Sequence, residues 1–444
     1  MVIQTREPII FVDGTSTDGA DGGHPDRRQR PANFMGRSVT IVGPQTSPDP
    51  HDDPHARVRR GELGPIVQNY YFNRFVKDPL NRMGHNTANA DSKAVLASVL
   101  ARSGRGSVNP EKLEVRDVSA MTKHIKRVAR FLGADAVGIA PTLPEYVNDR
   151  GASRTEDEHM VTAASGESPE EISRKYPYAI CFLVAWDYNM VQAHRHHIGD
   201  ATYHFAGQKA NVLGNNLAGY IREMGYQVRQ GGASTIPMML AAGLGELGRN
   251  GIVISEKFGS RVHPHVILTD LPLVADGPID IGVSDFCKVC RKCAIACPTN
   301  SISHDVNKKL INGVEKYAIN WKTCYAVRPH TLNLWHNCLT CVAACPYTKP
   351  NVWWRTLTLQ TLRTTPVRLR PLLVRALVAV DDRIWGKLPR RRVRWLGYDT
   401  GVKINESTCS IAGCSCHENE HPEPVGQYPP FKENARRFYK DKAR

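Results

Sequence analysis

Cys287-Lys-Val-Cys290-Arg-Lys-Cys293-Ala-Ile-Ala-Cys297-Pro298 is the stretch on which the reading of this chain turns. Its spacing, C-x2-C-x2-C-x3-C-P, lets a tight turn supply three thiolates to one four-iron cubane, while the cysteine before proline turns to a neighbouring cluster. One such run therefore calls for a second. It follows at Cys338-Leu-Thr-Cys341-Val-Ala-Ala-Cys345-Pro346, with Cys324 set thirteen intervening residues before Cys338. By this crossed logic Cys287, Cys290, Cys293 and Cys345 form one set and Cys297, Cys324, Cys338 and Cys341 the other, for two [4Fe-4S] clusters. Zinc shares the C-x2-C spacing but leaves both Cys-Pro endings unexplained. Clusters of this type carry electrons, so the centre that consumes them lies elsewhere in the chain.

Upstream of the cysteines the pattern alternates between helix and strand. Met121, Ile125, Val128 and Leu132 mark one helical face that stops at Gly133, and Ala136-Val-Gly-Ile-Ala follows as a strand. The apolar run from Tyr178 to Trp186 has the length of a buried strand, and Leu213, Leu217, Ile221 and Met224 give a second helical stripe ending at Gly225. Gly251-Ile-Val-Ile and Val266-Ile-Leu-Thr are short, β-branched strand candidates. The pattern predicts a mixed α/β core over residues 65–276, a two-cluster module over 277–350, an irregular arm over 1–64 rich in Gly, Pro, Asp, Ser and Arg, and a basic extension over 351–444. Cys181, inside an apolar run, reads as a small buried hydrophobe, and Cys409, Cys414 and Cys416 beside His417 read as incidental thiols.

The chain has 444 residues, 41% apolar and 23% charged, which excludes a wholly disordered or collagen-like protein. No segment approaches the ~18 apolar residues of a membrane span. The N-terminus carries no charged region followed by an apolar one, and Arg27-Arg28 is followed by polar sequence, so a cytoplasmic location is expected and clustered cysteines read as metal ligands rather than disulfides. The net charge is +15, and residues 351–400 hold eleven Lys or Arg against three Asp. Leu369, Leu372, Leu373, Leu377 and Val380 suit a helix there packed on the rest, with arginines in water, and such a patch would also suit an acidic ferredoxin or flavodoxin as electron donor. Nucleic acid is not expected, because interleaved aromatics are lacking.

Between the second helix and the cysteines runs AGLGELGRNG (242–251), whose glycines permit close approach of backbone to a large ligand; it neither follows a strand nor closes a βαβ unit, which argues against a dinucleotide. This run, with FGSRV (258–262), ILTDLPLVADGPID (267–280), FCKVC (286–290), CPTNSI (297–302), YAINWKTCY (317–325), NCLTCVAACPYTKPNVWW (337–354), Val380-Asp381-Asp382 and GYDTG (397–401), resembles corrinoid-dependent reductive dehalogenases. Epoxyqueuosine reductase is a more distant likeness. The resemblance covers roughly residues 119–402. It implies a nitroreductase-like α/β core that binds cobalamin base-off, with an inserted ferredoxin-like two-cluster module, and reduction of a carbon–halogen bond, most plausibly on an aromatic organohalide. It further implies a tyrosine proton donor, taken as Tyr203 with His204 or Lys209 as alternatives in register, and a basic partner, Arg261. Gly243, Gly245, Arg249 and Asn250 are the expected corrinoid-contacting residues.

The chain departs from the family in two places. The Asn-Asp-Thr turn expected before a proline-led helix is Gly232-Ala233-Ser234-Thr235 before Pro237, and a position often held by a second arginine is His263. Two other functions stay open on sequence grounds: a corrinoid reductase acting on another bond, such as an epoxide in transfer RNA, and an electron-transfer protein that has lost its corrinoid site.

Overall fold

The computed structural model describes residues 36–43, 106–147, 167–195, 197–321, 323–324, 337–350, 353–366 and 368–389, with isolated positions and a short hairpin at 394–399. Residues 1–35 and the cysteines Cys409, Cys414 and Cys416 lie outside the described residues.

The part of the arm that is described is not irregular throughout. Thr40–Ile41 forms a short strand, β1, too brief to leave a periodic trace in sequence. After it comes α1 (Val118–Phe131), started by Asp117, whose carboxylate accepts from the amides of Ser119 and Ala120. Strand β2 (Ala136–Pro141) and helix α2 (Pro169–Lys175) lead to β3 (Tyr178–Ala185). The short α3 (Tyr188–Val191) is followed by α4 (His197–Glu223), then β4 (Val228–Gln230) and α5 (Thr235–Ala241). Two short strands, β5 (Glu246–Leu247) and β6 (Val253–Ile254), precede β7 (Val262–Thr269).

The central sheet runs β2-β3-β7-β4, antiparallel at every pairing. Side chains alternate between two covered faces. Val137, Ile139, Ile180, Phe182, Val184 and Ile267 meet α1 and α4, whereas Ala140, Ala179, Cys181, Leu183, Val266 and Leu268 meet α5 and α2. Burial on both faces explains why the sequence of β3 is an unbroken apolar run, and each large side chain there contributes about 1.5–3 kcal/mol. Helix α4 lies unusually close to the sheet: a Cβ added at Gly207 would sit 2.9 Å from the His263 ring, and one at Gly214 would sit 2.6 Å from His265 Nε2. The helix ends where expected, at Gly225 with φ +83°.

The cysteine region is built from short pieces. Helix α6 (Val283–Val289) and α7 (Lys292–Ile295) carry the first run, and β8 (Lys309–Ile311) pairs with β9 (Val314–Lys316), which also pairs with β1. Helix α8 (Thr340–Ala344) carries the second run. Helices α9 (Trp353–Thr364) and α10 (Arg370–Trp385) then cover the first cysteine set through Leu359, Leu362, Val374, Leu373, Leu377 and Val378. The packed face of α10 differs from the expected one, since Leu369, Leu372 and Val380 are each more than half exposed. Nor are all the arginines solvated: Arg370 joins Arg37 in a network with Asp280 and Asp285, and Arg355 is buried. Among the described residues no helix is long and apolar enough to cross a membrane.

Candidate active site

Cys287 and Cys290 sit in the last turn and at the C-cap of α6, Cys293 in α7, and Cys345 at the C-cap of α8. These four come together: Cys293 feels the charge of Cys287, Cys290 and Cys345, and Cys287 and Cys290 each feel that of Cys345. Burial raises all four thiols above the ordinary cysteine value, Cys287 to about 12, and the proximity of Cys345 adds to the shifts of Cys287, Cys290 and Cys293. Such a set is neutral when empty and must release protons to become ligands. The second set is more open. Cys297, Cys324, Cys338 and Cys341 are each partly exposed, while Cys287, Cys290 and Cys345 are buried.

Small polar groups hold the second set in two parts. The Ser301 amide donates to Cys297 Sγ at 3.3 Å, Ser301 bonds Thr323 beside Cys324, and Cys338 Sγ lies 3.1 Å from Thr340 Oγ1. Cys341 bridges toward the first set through its proximity to Cys293. Among the described residues no three Cys, His, Asp or Glu side chains close on a single ion. A cubane makes a different demand, because each thiolate takes a separate iron corner.

Tyr203 and Arg261 converge on Trp186, just beyond β3. The Tyr203 ring packs edge-on against Trp186 with centroids 5.4 Å apart, and Arg261 Nη1 donates to the Trp186 carbonyl at 2.6 Å. Burial pulls the Arg261 pKa down, with Asp187 and Asp135 acting the other way. Tyr203 also packs against His263 at 5.4 Å and His204 at 5.1 Å. His263 is thus a strand residue of β7, not part of a solvated loop. His204, in contact with Tyr203, pairs with Asp200 at 3.1 Å, whereas Lys209 is exposed over the Phe205 ring. Both cysteine sets abut this corner. Ser260 hydrogen-bonds Cys345, and a Cβ at Gly259 would meet the Tyr347 carbonyl at 2.3 Å; on the other side the Arg195 amide donates to the Cys338 carbonyl at 2.9 Å and Asp200 accepts from the Asn337 amide at 2.9 Å.

No family model matches the chain. It is 29% identical over 271 residues to a tetrachloroethene reductive dehalogenase of Dehalobacter restrictus, covering 52% of this chain and 49% of that one. The chain is a relative of the reductive dehalogenases. It shares its fold with a catabolic reductive dehalogenase solved in complex with 3-bromo-4-hydroxybenzoic acid, at TM-score 0.62 and 23% identity over 82% of this chain and 49% of that chain. A shorter match, 36% over 104 residues and 23% of this chain, links it to an epoxyqueuosine reductase of Leadbetterella byssophila, of which it covers 33%. The chain spans about half the length of the tetrachloroethene reductive dehalogenases it matches.

In this dehalogenase relative the glycine-rich run is packed closely: a Cβ added at Gly243 would lie 2.5 Å from the Gly277 carbonyl oxygen, and one at Gly245 would lie 2.5 Å from that of Ile254, so contacts within the protein already require glycine at both positions. Arg249 is wholly buried and Asn250 nearly so. Donors that fit a ligand rich in hydrogen-bond acceptors lie beside Tyr203: Trp186 Nε1 and Arg261 Nε are buried without a partner among the described residues, as is Gln192 Nε2 just after α3. Sequence reasoning missed Trp186 and Gln192, whose only signal is their place just after a buried strand. It also missed Glu246, an acid among glycines, which accepts from the Ile281 and Val283 amides at 2.7 and 3.0 Å and whose pKa burial, aided by Asp280, raises to about 7.

Proposed function

We propose that this chain is a corrinoid- and iron-sulfur-dependent oxidoreductase that replaces a halogen on an organic substrate, most plausibly an aromatic one, with hydrogen and releases halide. The observation that carries the reading is the meeting of Tyr203 and Arg261 at Trp186, with Cys345 beside Ser260 and the Cys338 carbonyl held by Arg195. The balance is two electrons and one proton in, one halide out. A bound corrinoid would supply the low-valent cobalt at which the carbon–halogen bond breaks. Tyr203 is proposed to hold and deliver the proton through its hydroxyl, and Arg261 to stabilise the phenolate left behind. The unpartnered donors of Trp186, Gln192 and Arg261 would orient the cofactor's acceptors.

The burial contrast suggests the order of electron flow. The partly exposed set of Cys297, Cys324, Cys338 and Cys341 would receive electrons from a ferredoxin or flavodoxin, and the other set, in which Cys287, Cys290 and Cys345 are buried and Cys293 is half-buried, joined to Arg261 through Ser260, would pass them inward. The test is metal analysis and paramagnetic resonance of protein reconstituted anaerobically with iron, sulfide and cobalamin, followed by halide release from halogenated phenols. About eight iron and one cobalt per chain with halide release is the expected result. Iron without cobalt retention would leave an electron carrier, and turnover on modified transfer RNA alone would move the activity to the epoxide class.

A further inference from the structure

Arg249 is among the largest wholly buried side chains of the protein. Its Nε and Nη2 both donate to the Cys287 carbonyl, at 3.1 and 2.8 Å, and its Nη1 donates to the carbonyls of Ser303 and Asp305, at 2.8 and 2.7 Å. The flat guanidinium lies 3.8 Å from the centre of the Tyr317 ring. Its fork therefore clamps the backbone at a cysteine to the segment beyond the first run, a geometry that the single point charge of lysine does not reproduce. Buried charges are ordinarily paired with an opposite charge. Among the described residues no carboxylate side chain pairs with Arg249; its partners are carbonyl oxygens and a ring face.

We propose that Arg249 is the positioning and electrostatic residue of the cluster that Cys287, Cys290, Cys293 and Cys345 would hold, its uncompensated charge favouring the reduced form. This rests on the cluster reading given above. Each electron arriving from a low-potential ferredoxin or flavodoxin makes the cluster and its thiolates one unit more negative, with no bond made or broken and no proton required. A fixed cation beside Cys287 stabilises that added charge, and net charge near a cluster is one of the terms that set its potential. The second set has no equivalent clamp from Arg249, so the effect falls on one cluster of the two.

The experiment is a dye-mediated redox titration, followed by paramagnetic resonance, of the full chain reconstituted with iron and sulfide. Arg249→Gln is expected to lower the reduced-to-oxidised ratio of one cluster at fixed potential by about tenfold, or 59 mV for one electron, with the other cluster unmoved as internal reference. Arg249→Lys, which keeps the charge and loses the fork, is expected to shift it by less than about threefold. Ser303→Asp keeps Arg249 and the backbone carbonyls it binds, gives up the Ser303 hydroxyl's bonds to Asp305, and brings a carboxylate to the segment Arg249 holds; it is expected to move the same cluster in the direction of Arg249→Gln and decides the matter should the Arg249 variants fail to retain iron. Titrations of Arg249→Gln and Ser303→Asp that overlay the parent would overturn the proposal, as would equal shifts for Gln and Lys. Parent protein that takes up no iron would instead refute the cluster reading beneath it.

Discussion

Lys292 offers the sharpest test of how the first cysteine set is held. Its ammonium, 6% exposed, contacts Asp381 and lies 2.9 Å from Asp382 and 3.0 Å from the Gly386 carbonyl, pinning α7, which carries Cys293, to α10. Burial works to lower the Lys292 pKa, but hydrogen bonds to both aspartates outweigh it and hold it above the ordinary lysine value. A group raised in this way keeps its full contribution below the ordinary lysine range and loses it only as pH rises beyond, so the tie is intact at neutral pH. Lys292→Met removes the cation and leaves Asp381, 11% exposed, without its buried partner. Removing one member of a buried pair costs roughly 3–5 kcal/mol; the 29% exposure of Asp382 puts the expected loss at the lower end, about 3 kcal/mol. Neutralising the carboxylates as well, in Lys292→Met with Asp381→Asn and Asp382→Asn, is expected to recover most of that loss, because no charge is then stranded. Anaerobic urea denaturation of the three proteins, followed by the cluster absorbance and by circular dichroism, reads both effects. A single variant within about 0.5 kcal/mol of the parent, or a triple variant less stable than the single one, would refute the reasoning.

Three further outcomes follow from the geometry. Tyr203→Phe keeps the ring contacts with Trp186 and His263, so both clusters and the thermal midpoint should persist while dehalogenation falls by roughly 10²–10⁴-fold; a rate equal to the parent's removes Tyr203 as donor. His265 is pushed by burial down to about 4, so between its ordinary value of 6.5 and about 4 the unfolded chain binds the extra proton and stability declines on acidification, by at most roughly 1.4 kcal/mol per pH unit. His265→Phe should flatten that slope in denaturation curves taken from pH 7 to 4. Loading of iron and sulfide into the raised thiols of Cys287, Cys290, Cys293 and Cys345 should release close to one proton per cysteine at pH 7 beyond those that hydrogen sulfide itself gives up, measured with an indicator dye; a Cys293→Ala protein should release fewer and lose one cluster.

The sequence was most legible where chemistry demands fixed local spacing or where burial is two-sided. The turns carrying Cys287 to Cys293 and Cys338 to Cys345 fall in the first class, and β3 in the second. Other features were hidden for definite reasons. The first half of α4 shows no apolar stripe because Ala201, Ala206, Gly207 and Ala210 are small, the condition for lying so close over His263. Strand β7 begins four residues before its apolar stretch, across Pro264, which is tolerated because β4 pairs only with 267–269 and the earlier edge needs no amide there. The glycines at 243 and 245 read in sequence as a ligand cradle, and the close approach of the Gly277 and Ile254 carbonyls, which lie 34 and 9 positions on, leaves no mark in the pattern of residue types. Arg249 lay in the same run, yet its hydrogen-bond partners are backbone carbonyls up to 56 positions away, which no pattern of residue types records.

The company that Cys345 keeps also sets a timetable for biosynthesis. Cys287, Cys290 and Cys293 leave the ribosome as an incomplete set, and their fourth neighbour is 52 residues further on. At about 5–20 residues per second that interval is roughly 3–10 s. During it three thiols destined for the interior are open to oxidation or to a passing metal ion, so the nascent chain needs either anaerobic surroundings or an escort for those thiols before any cofactor can be inserted.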